Sequence, residues 1–453
     1  MKREKIDLNA YINREIPCAC GHTHFSGVKR IDIDRGAVKR LPGHIRDLGY
    51  SKVFIVADIN TWKAAGARAA DELTAAGIVF DKVILDYEEV IPDEQVIGEI
   101  MTAYPVGYDL VLGIGSGTLN DLCKFVSHRL GIDYIIFATA PSMDGFVSIG
   151  SALMLHHVKT TLDCQGPVAV VGDTDILSAA PMKLIAAGLG DTLGKYTCLL
   201  DWKLAHLING EYYCQEVVDM VETALETVKE QSAKVQTRDP EAVKAVTQAL
   251  VLTGIAMSFV GNSRPASGCE HHFAHYWEMT ALMEGRMPAN HGTQVGVGMI
   301  LALKLYHKLA KEQPDFEAAM NRPFDRAAWE ARMRECYGIA ADGIIALENK
   351  AGKNDIAKRD KRLAVIRDNW KKIQEMIEEN LPETEEMTAL LKSLNAPVEP
   401  EEMDVPAQRA REAVEVAKEV RDRYTLLQLL WDLGLAAKYA ETEVPAEAVS
   451  QNL

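Results

Sequence analysis

The order of apolar runs in the first 175 residues limits the fold more than any other feature. Residues 52–58 (KVFIVAD), 79–86, 109–115 (DLVLGIG), 133–140 (DYIIFATA) and 166–172 read as strands. Residues 61–76, 92–104 (with Pro92 in the first turn) and 118–130 read as the helices between them, and 146–162 as a hairpin. Continuously apolar strands need cover on both faces, and strand–helix alternation supplies it as a parallel sheet between helical layers. From about Ser178 strand signals stop and helical periodicity runs on, over 179–187, 191–207, 214–236, 242–260, 267–283 and 296–311, with more beyond Pro323. Gly188, Gly190, Asn209-Gly210 and Gly261-Asn262 punctuate these stretches. The expectation is an α/β domain over residues 1–175 and an all-helical domain over 176–453. The charged stretch 349–361 reads as a solvated helix end or loop, and 395–406 as a connector.

The length of 453 residues, 48% apolar and 25% charged, fits a folded chain with more than one core. Asp and Glu outnumber Lys and Arg by 65 to 49, a net charge of −16. Such a surface repels phosphate backbones and anionic lipid heads, so neither nucleic acid nor a membrane surface is expected as a partner. No apolar run in this reading is long enough to cross a bilayer, and no apolar segment follows the charged start MKREKID. A cytoplasmic location is expected, with the eight cysteines as reduced thiols.

Three constellations carry chemistry. Gly113-Ile-Gly115-Ser116-Gly117-Thr118 lies between a strand and a helix, where glycines let backbone approach a phosphate and the helix offers N–H groups. Thr118 and Asp121 fit a capping arrangement, and a tight turn with no ligand fits the same string. Asp58 closes the first strand of this series, where a carboxylate can accept from a ribose hydroxyl or simply stand exposed. Thr139-Ala-Pro-Ser142-Met-Asp144-Gly145-Phe-Val-Ser148 follows the fourth strand, at the sheet end that binds ligands; a self-stabilised turn explains it equally.

The third constellation is metal-like. Asp191 follows Gly188-Leu-Gly190 at an expected helix start, with Lys195 four residues on. Ser267 and Glu270 read as a capping box ahead of His271, His272 and His275, and His291 precedes another helix. Four of the twelve histidines thus fall between 271 and 291. One carboxylate and two imidazoles make a nitrogen–oxygen set suited to a borderline divalent ion. A second cluster, Cys18-Ala-Cys20-Gly-His22-Thr-His24, reads as an N-terminal turn or hairpin, with metal binding the minor alternative.

Taken together, GIGSGTLNDLCK (113–124), TAPSMDG (139–145), GLGDTLGK (188–195), RPASGCEHHFAH (264–275) and HGTQVGVG (291–298) resemble the iron-containing alcohol dehydrogenase superfamily, and within it the bacterial glycerol-1-phosphate dehydrogenases. The resemblance implies a Rossmann-like α/β domain plus an all-α domain. It implies that Gly115, Ser116, Gly117, Thr118 and Leu119 cradle the pyrophosphate of NAD, with NADP possible. Thr139, Ala140, Pro141, Ser142 and Ser148 would line the nicotinamide, and Asp58 the adenosine ribose. Asp191, His271 and His291 would hold one divalent metal: zinc, nickel or iron. Asp144, Asp191 and His275 would meet substrate, with Asp144 and His275 relaying a proton. Many alcohol dehydrogenases of the superfamily carry a histidine ligand where Lys195 stands here. For the substrate phosphate the candidates are His275, then Lys195 and Arg264, the last two on their charge and not on the resemblance.

The implied reaction interconverts dihydroxyacetone phosphate and sn-glycerol 1-phosphate by hydride transfer at C2. Other readings are a glycerol or polyol dehydrogenase, a lyase of the dehydroquinate-synthase type, and a non-catalytic metal- or nucleotide-binding protein. The expected partner is a small phosphorylated triose or polyol, and a homo-oligomer is possible.

Overall fold

The computed structural model describes residues 6–155 and 158–444. Its strands are β1 (Ile16–Pro17), β2 (Thr23–His24), β3 (Arg30–Asp34), β4 (Lys52–Asp58), β5 (Val79–Leu85), β6 (Leu110–Gly115), β7 (Asp133–Ala138), β8 (Gly150–Leu155), β9 (Val158–Asp163) and β10 (Ala169–Asp173). Six form one parallel sheet in the order β3-β10-β7-β6-β4-β5. Every residue of β6 and β10 is buried, whereas edge strand β5 buries only Leu85. This follows the sequence: the strands apolar on both sides take the covered interior positions. β3 escapes sequence reading because Arg-Ile-Asp-Ile-Asp alternates as an edge strand does. The hairpin expected near 146–162 is β8–β9, whose turn lies outside the described residues.

The contacts group into two compact units. The first comprises residues 1–192 and 215–263, the second 193–214 and 264–453. The first therefore holds the parallel sheet together with the helices Gln215–Val235 and Pro240–Val260. Its core joins sheet residues such as Val53, Ile55, Leu112, Ile135 and Val171 to helix residues such as Leu41 and Leu73. The second unit is all helical around Phe273, Trp277, Leu301, Tyr306, Leu363 and Leu429. The fold is thus a Rossmann-like α/β domain plus a helical C-terminal region.

One described helix, Pro240–Val260, is long and apolar enough to cross a membrane by length and composition, which residue runs alone did not reveal. Seventy-two per cent of its apolar window is buried within the protein.

Several local expectations are corrected. Helix Glu94–Ala103 is capped by Asp93, whose carboxylate accepts from the Val96 amide, so Pro92 precedes the helix. The expected helix after β4 is split into Ile59–Thr61, a π segment Trp62–Gly66, and Ala67–Ala75. Segment 349–361 is not solvated throughout: Lys353, Asn354 and Arg359 are buried. Lys353 donates to the carbonyls of Lys418 and Arg421, and Arg359 to those of Met320 and Arg322. Long cations in that run serve as internal hydrogen-bond donors, which composition alone hides.

Candidate functional site

In the first unit, the register brings the glycine turn and its neighbours to one end of the sheet. Ala57 of β4 pairs with Ile114 of β6, and Gly115 pairs with Ala138 of β7. Asp58, Ser116 and Thr139 are therefore the next residues at the carboxyl ends of three adjacent strands, the end at which parallel sheets bind ligands.

Helix Gly117–Leu130 starts directly after Ser116 and has no side-chain cap. The expected Thr118–Asp121 cap is absent; Asp121 instead pairs with Lys124 at 3.1 Å. A helix start without a cap leaves its first amides pointing outward, the arrangement that suits an anion. The turn is tight: a Cβ on Gly115 would sit 2.4 Å from the Leu119 Cβ. Ser116 Oγ donates to the Ala140 carbonyl at 2.9 Å and lies 2.5 Å from Ser142 Oγ. The glycine turn and the loop after β7 are one linked structure. Met143 packs over Gly117, and its sulfur accepts from the Gly145 amide.

Asp58 acts locally as a cap: its Oδ1 accepts from the amides of Asn60 (2.8 Å) and Thr61 (2.7 Å). Ser148 faces inward, its hydroxyl held by Lys124 Nζ at 3.2 Å. Lys124 is wholly buried and also donates to the carbonyls of Gly145 (3.2 Å) and Gly150 (2.7 Å). From the sequence this lysine is a motif residue without a role. A signal is present, since Asp121 and Lys124 stand three apart on one helix face.

Asp191 corrects another expectation. It does not begin a helix; helix Met182–Leu193 runs through Gly188 and Gly190, and Asp191 lies buried in its last turns. Gly188 is present for space, because a Cβ there would lie 1.8 Å from the Pro141 carbonyl oxygen. That contact, with the bond from the Asp144 amide to Asp191 Oδ2 (2.9 Å), seats the 139–145 loop on the helix. Thr139, Ala140, Pro141 and Asp144 are buried.

In the second unit, helix Cys269–Met283 carries His271 and His275 one turn apart, and His291 opens helix His291–Ala310. A Cβ on Gly298 would meet the Glu270 carbonyl oxygen at 2.5 Å, so these two helices touch backbone to backbone. The rings of His271 and His291 are 5.2 Å apart, those of His275 and His291 5.5 Å, and those of His271 and His275 6.0 Å. Each Nδ1 faces a carboxylate: His271 to Glu270 (2.8 Å), His275 to Glu278 (3.1 Å) and His291 to Glu278 (2.9 Å). Such partners fix the tautomer that leaves Nε2 as the donor to a metal. Burial first, then the positive charge of Lys195 and the neighbouring imidazoles, hold the His271 pKa well below its ordinary value. A neutral imidazole is what a cation requires.

The helix start that carries His271 is rigid. The expected Ser267–Glu270 box is absent: Gly268 is the cap position, with no side-chain cap, and its amide donates to Glu270 Oε1 at 2.6 Å. Glu270 Oε2 accepts from Thr197 Oγ1 at 2.6 Å, and Asp201 accepts from the amides of Cys269 and Leu426 at 2.6 Å each. Burial and the nearby Asp201 charge raise the Glu270 pKa to about 7. Glu278 and Asp201 were missed in the sequence. His275 and Glu278 stand three apart on one helix face, a spacing that was visible; Asp201 had no local signal.

Lys195 opens helix Lys195–Asn209 and is buried. Arg264 forms a paired contact with Glu211 (2.7 Å to each oxygen) and donates to the Tyr424 carbonyl. Much of its donor capacity is therefore committed within the protein. Arg423 is partly buried and donates to the Ser267 carbonyl at 3.3 Å, four residues before His271. Burial, then the charges of Arg264 and Arg421, push its pKa down to about 10. Cations that repel one another in this way favour an anion beside them.

Residues 32–181 match the family model for iron-containing alcohol dehydrogenase. Along 417 residues, 91% of this chain and 95% of the relative, the sequence is 32% identical to a glycerol-1-phosphate dehydrogenase [NAD(P)+] of Halalkalibacterium halodurans. It is 35% identical over 275 residues, 60% of this chain and 75% of the relative, to one of Methanosarcina acetivorans. Among solved structures, glycerol dehydrogenase of Schizosaccharomyces pombe superposes with a TM-score of 0.59 at 13% identity, covering 92% of this chain and 90% of that one. A butanol dehydrogenase of Thermotoga maritima gives 0.58, also at 13% identity, covering 91% and 96%. These last two likenesses speak for the fold.

Proposed function

Because the chain belongs to the iron-containing alcohol dehydrogenase family, with glycerol-1-phosphate dehydrogenases among its relatives, we propose that it interconverts dihydroxyacetone phosphate and sn-glycerol 1-phosphate with NAD(P) and one divalent metal. The observation that carries this reading is the set of three imidazoles gathered within 6.0 Å of ring separation, each with Nδ1 at a carboxylate. That donor set fits a borderline divalent cation.

In this proposal His271 and His291, with Asp191 by resemblance, hold the metal, and Glu270 and Glu278 fix the two imidazoles. A Lewis-acidic cation supplies polarisation of a C2 carbonyl, and a nicotinamide supplies the hydride exchange. The protein's own groups do the rest. The amides of Gly115, Ser116, Gly117, Thr118 and Leu119 bind pyrophosphate at the uncapped helix start. Thr139, Ala140, Pro141, Ser142 and Ser148 shape the nicotinamide wall, and Asp58 accepts from the ribose. His275, oriented by Glu278, moves a proton at Nε2, with Asp144 near the substrate hydroxyls. Lys195 and Arg423 draw the substrate phosphate; Arg423 replaces Arg264, which is tied to Glu211.

The test is NADH oxidation with dihydroxyacetone phosphate, on EDTA-stripped protein reconstituted metal by metal. Activity should return with one or more divalent ions and be abolished in His271→Ala and His291→Ala. Unchanged rates in either variant would remove the ligand set. Faster turnover of free dihydroxyacetone would favour a polyol dehydrogenase, and phosphate release without net NADH change a lyase.

A further inference from the structure

The N-terminal hairpin has no part in the reaction proposed for the chain. Strands β1 and β2 have two residues each, pairing Ile16 with His24 and Pro17 with Thr23. Four strand residues do not hold themselves in water. The turn between them is closed by two backbone bonds, Cys18 N–H to the His22 carbonyl (3.0 Å) and Gly21 N–H to the Cys18 carbonyl (3.1 Å). Gly21 has φ +87°, which allows the reversal.

The reversal places two sulfurs and an imidazole together. One donor atom each from Cys18, Cys20 and His24 lies within 4.8 Å of the others. Cys20 Sγ is 3.6 Å from His24 Nε2 and 3.9 Å from His22 Nδ1. In a tetrahedral zinc site, with bonds of about 2.3 Å to sulfur and about 2.0 Å to nitrogen, the sulfur–nitrogen edge is roughly 3.5 Å. The Cys20–His24 separation matches that edge. The Cys20 amide also points at Cys18 Sγ, 3.5 Å away.

A second observation comes from behind the ring. His24 is only 2% exposed, and its Nδ1 lies 3.0 Å from the Phe259 carbonyl oxygen. A carbonyl only accepts, so Nδ1 carries the proton and Nε2 presents its lone pair toward the sulfurs. This is the backing that metal-bound histidines show. The ring stacks on Phe259 at 5.1 Å and 11°, so it is held flat in one orientation. Phe259 lies near the end of helix Pro240–Val260, in the same compact unit as the hairpin.

We propose that Cys18, Cys20 and His24 bind a thiophilic divalent cation, zinc foremost, separately from the catalytic metal. The cation ties the hairpin and, through His24, fastens it to the end of helix Pro240–Val260. The two thiols release their protons to solvent on binding and ligate as thiolates; no electron is transferred.

The test uses the full chain. Zinc-loaded and chelator-treated protein are alkylated with iodoacetamide and the labelled peptides mapped by mass. Cys18 and Cys20 should be protected by zinc and modified after chelation; equal labelling in both states would overturn the site. Cobalt substitution gives a second readout, because a sulfur-to-cobalt charge-transfer band cannot arise from aspartate and histidine. The band should be present in His271→Ala and lost in Cys18→Ser and Cys20→Ser. Its absence from the wild type, or its persistence in both serine variants, would also overturn the site. The alkylation result stands on wild-type protein alone should a serine variant fail to fold.

Discussion

At the scale of single residues, the informative groups are buried polar ones, because each must find a partner inside the protein. Lys124 joins the glycine-turn helix to the carbonyls of Gly145 and Gly150. Lys124→Met keeps the apolar stem and removes the donor. It should cost about 1–3 kcal/mol, the usual consequence of stranding buried acceptors. Urea unfolding would show that loss, and NADH titration a weakened affinity from the loosened loop; wild-type values in both would refute the clamp. Arg423 allows a sharper separation. Losing a charge-assisted hydrogen bond worth about 1.5–3 kcal/mol raises a dissociation constant roughly 10- to 100-fold. Arg423→Gln should therefore raise KM for dihydroxyacetone phosphate by that order and leave KM for unphosphorylated dihydroxyacetone unchanged. An equal rise for both would assign Arg423 a structural role. Sequence showed the imidazoles because residues 271 and 275 share a helix face. Asp121, three residues before Lys124, marked one partner of that lysine; the carbonyls of Gly145, Gly150 and Ser267 that accept from Lys124 and Arg423 left no mark, because every residue has one.

At the scale of elements, the sheet was legible and the helix ends were not. Strands β4, β6 and β7 were readable because continuous burial imprints an unbroken apolar run. Gly188 and Gly190 suggested a helix break, since glycine lowers helix propensity. The structure keeps the helix intact and uses Gly188 for close approach, which propensity cannot distinguish from a break. This difference makes a prediction. In Gly188→Ala the new methyl would collide with the Pro141 carbonyl, a backbone atom without rotamer freedom. The helix or the 139–145 loop must shift. The variant should lose about 1–3 kcal/mol or more by overpacking, although alanine is the better helix former by about 1 kcal/mol. Gly43 is the control: it is also helical, and a methyl added there would meet nothing within 4 Å, so Gly43→Ala should be neutral or stabilising. A stabilised Gly188→Ala in thermal unfolding would mean that the contact is absent.

At the scale of the molecule, both units contain carboxylates that ionise more easily folded than unfolded. In the first unit, burial pushes Asp32 upward, but hydrogen bonds from His44 and Arg40 outweigh it and hold the carboxyl well below its usual range. In the second, burial likewise raises Glu284 and Glu412; Arg286 and Arg409 overcome it at Glu284, and Gln408, Arg409 and Tyr276 at Glu412. A folded pKa below the unfolded value means that the unfolded chain binds more protons as acid is added. The stabilisation is thus complete above the ordinary carboxylate pKa of about 4 and is lost as pH falls through the folded values. Charge repulsion works the other way, because the net −16 shrinks on mild acidification. Above about pH 4.5 these carboxylates are largely ionised in both states and add little slope of their own; there His271, held below its ordinary pKa, costs stability as the pH falls, and Glu270, raised to about 7, gains it. Below it the carboxylate protonation governs, and urea midpoints should fall steadily. Asp32→Asn should start less stable at about pH 7 and lose less than wild type between about pH 5 and 3, since its share of the proton linkage is gone. Parallel pH profiles for the two proteins would show that the Asp32–Arg40–His44 group contributes nothing to acid sensitivity.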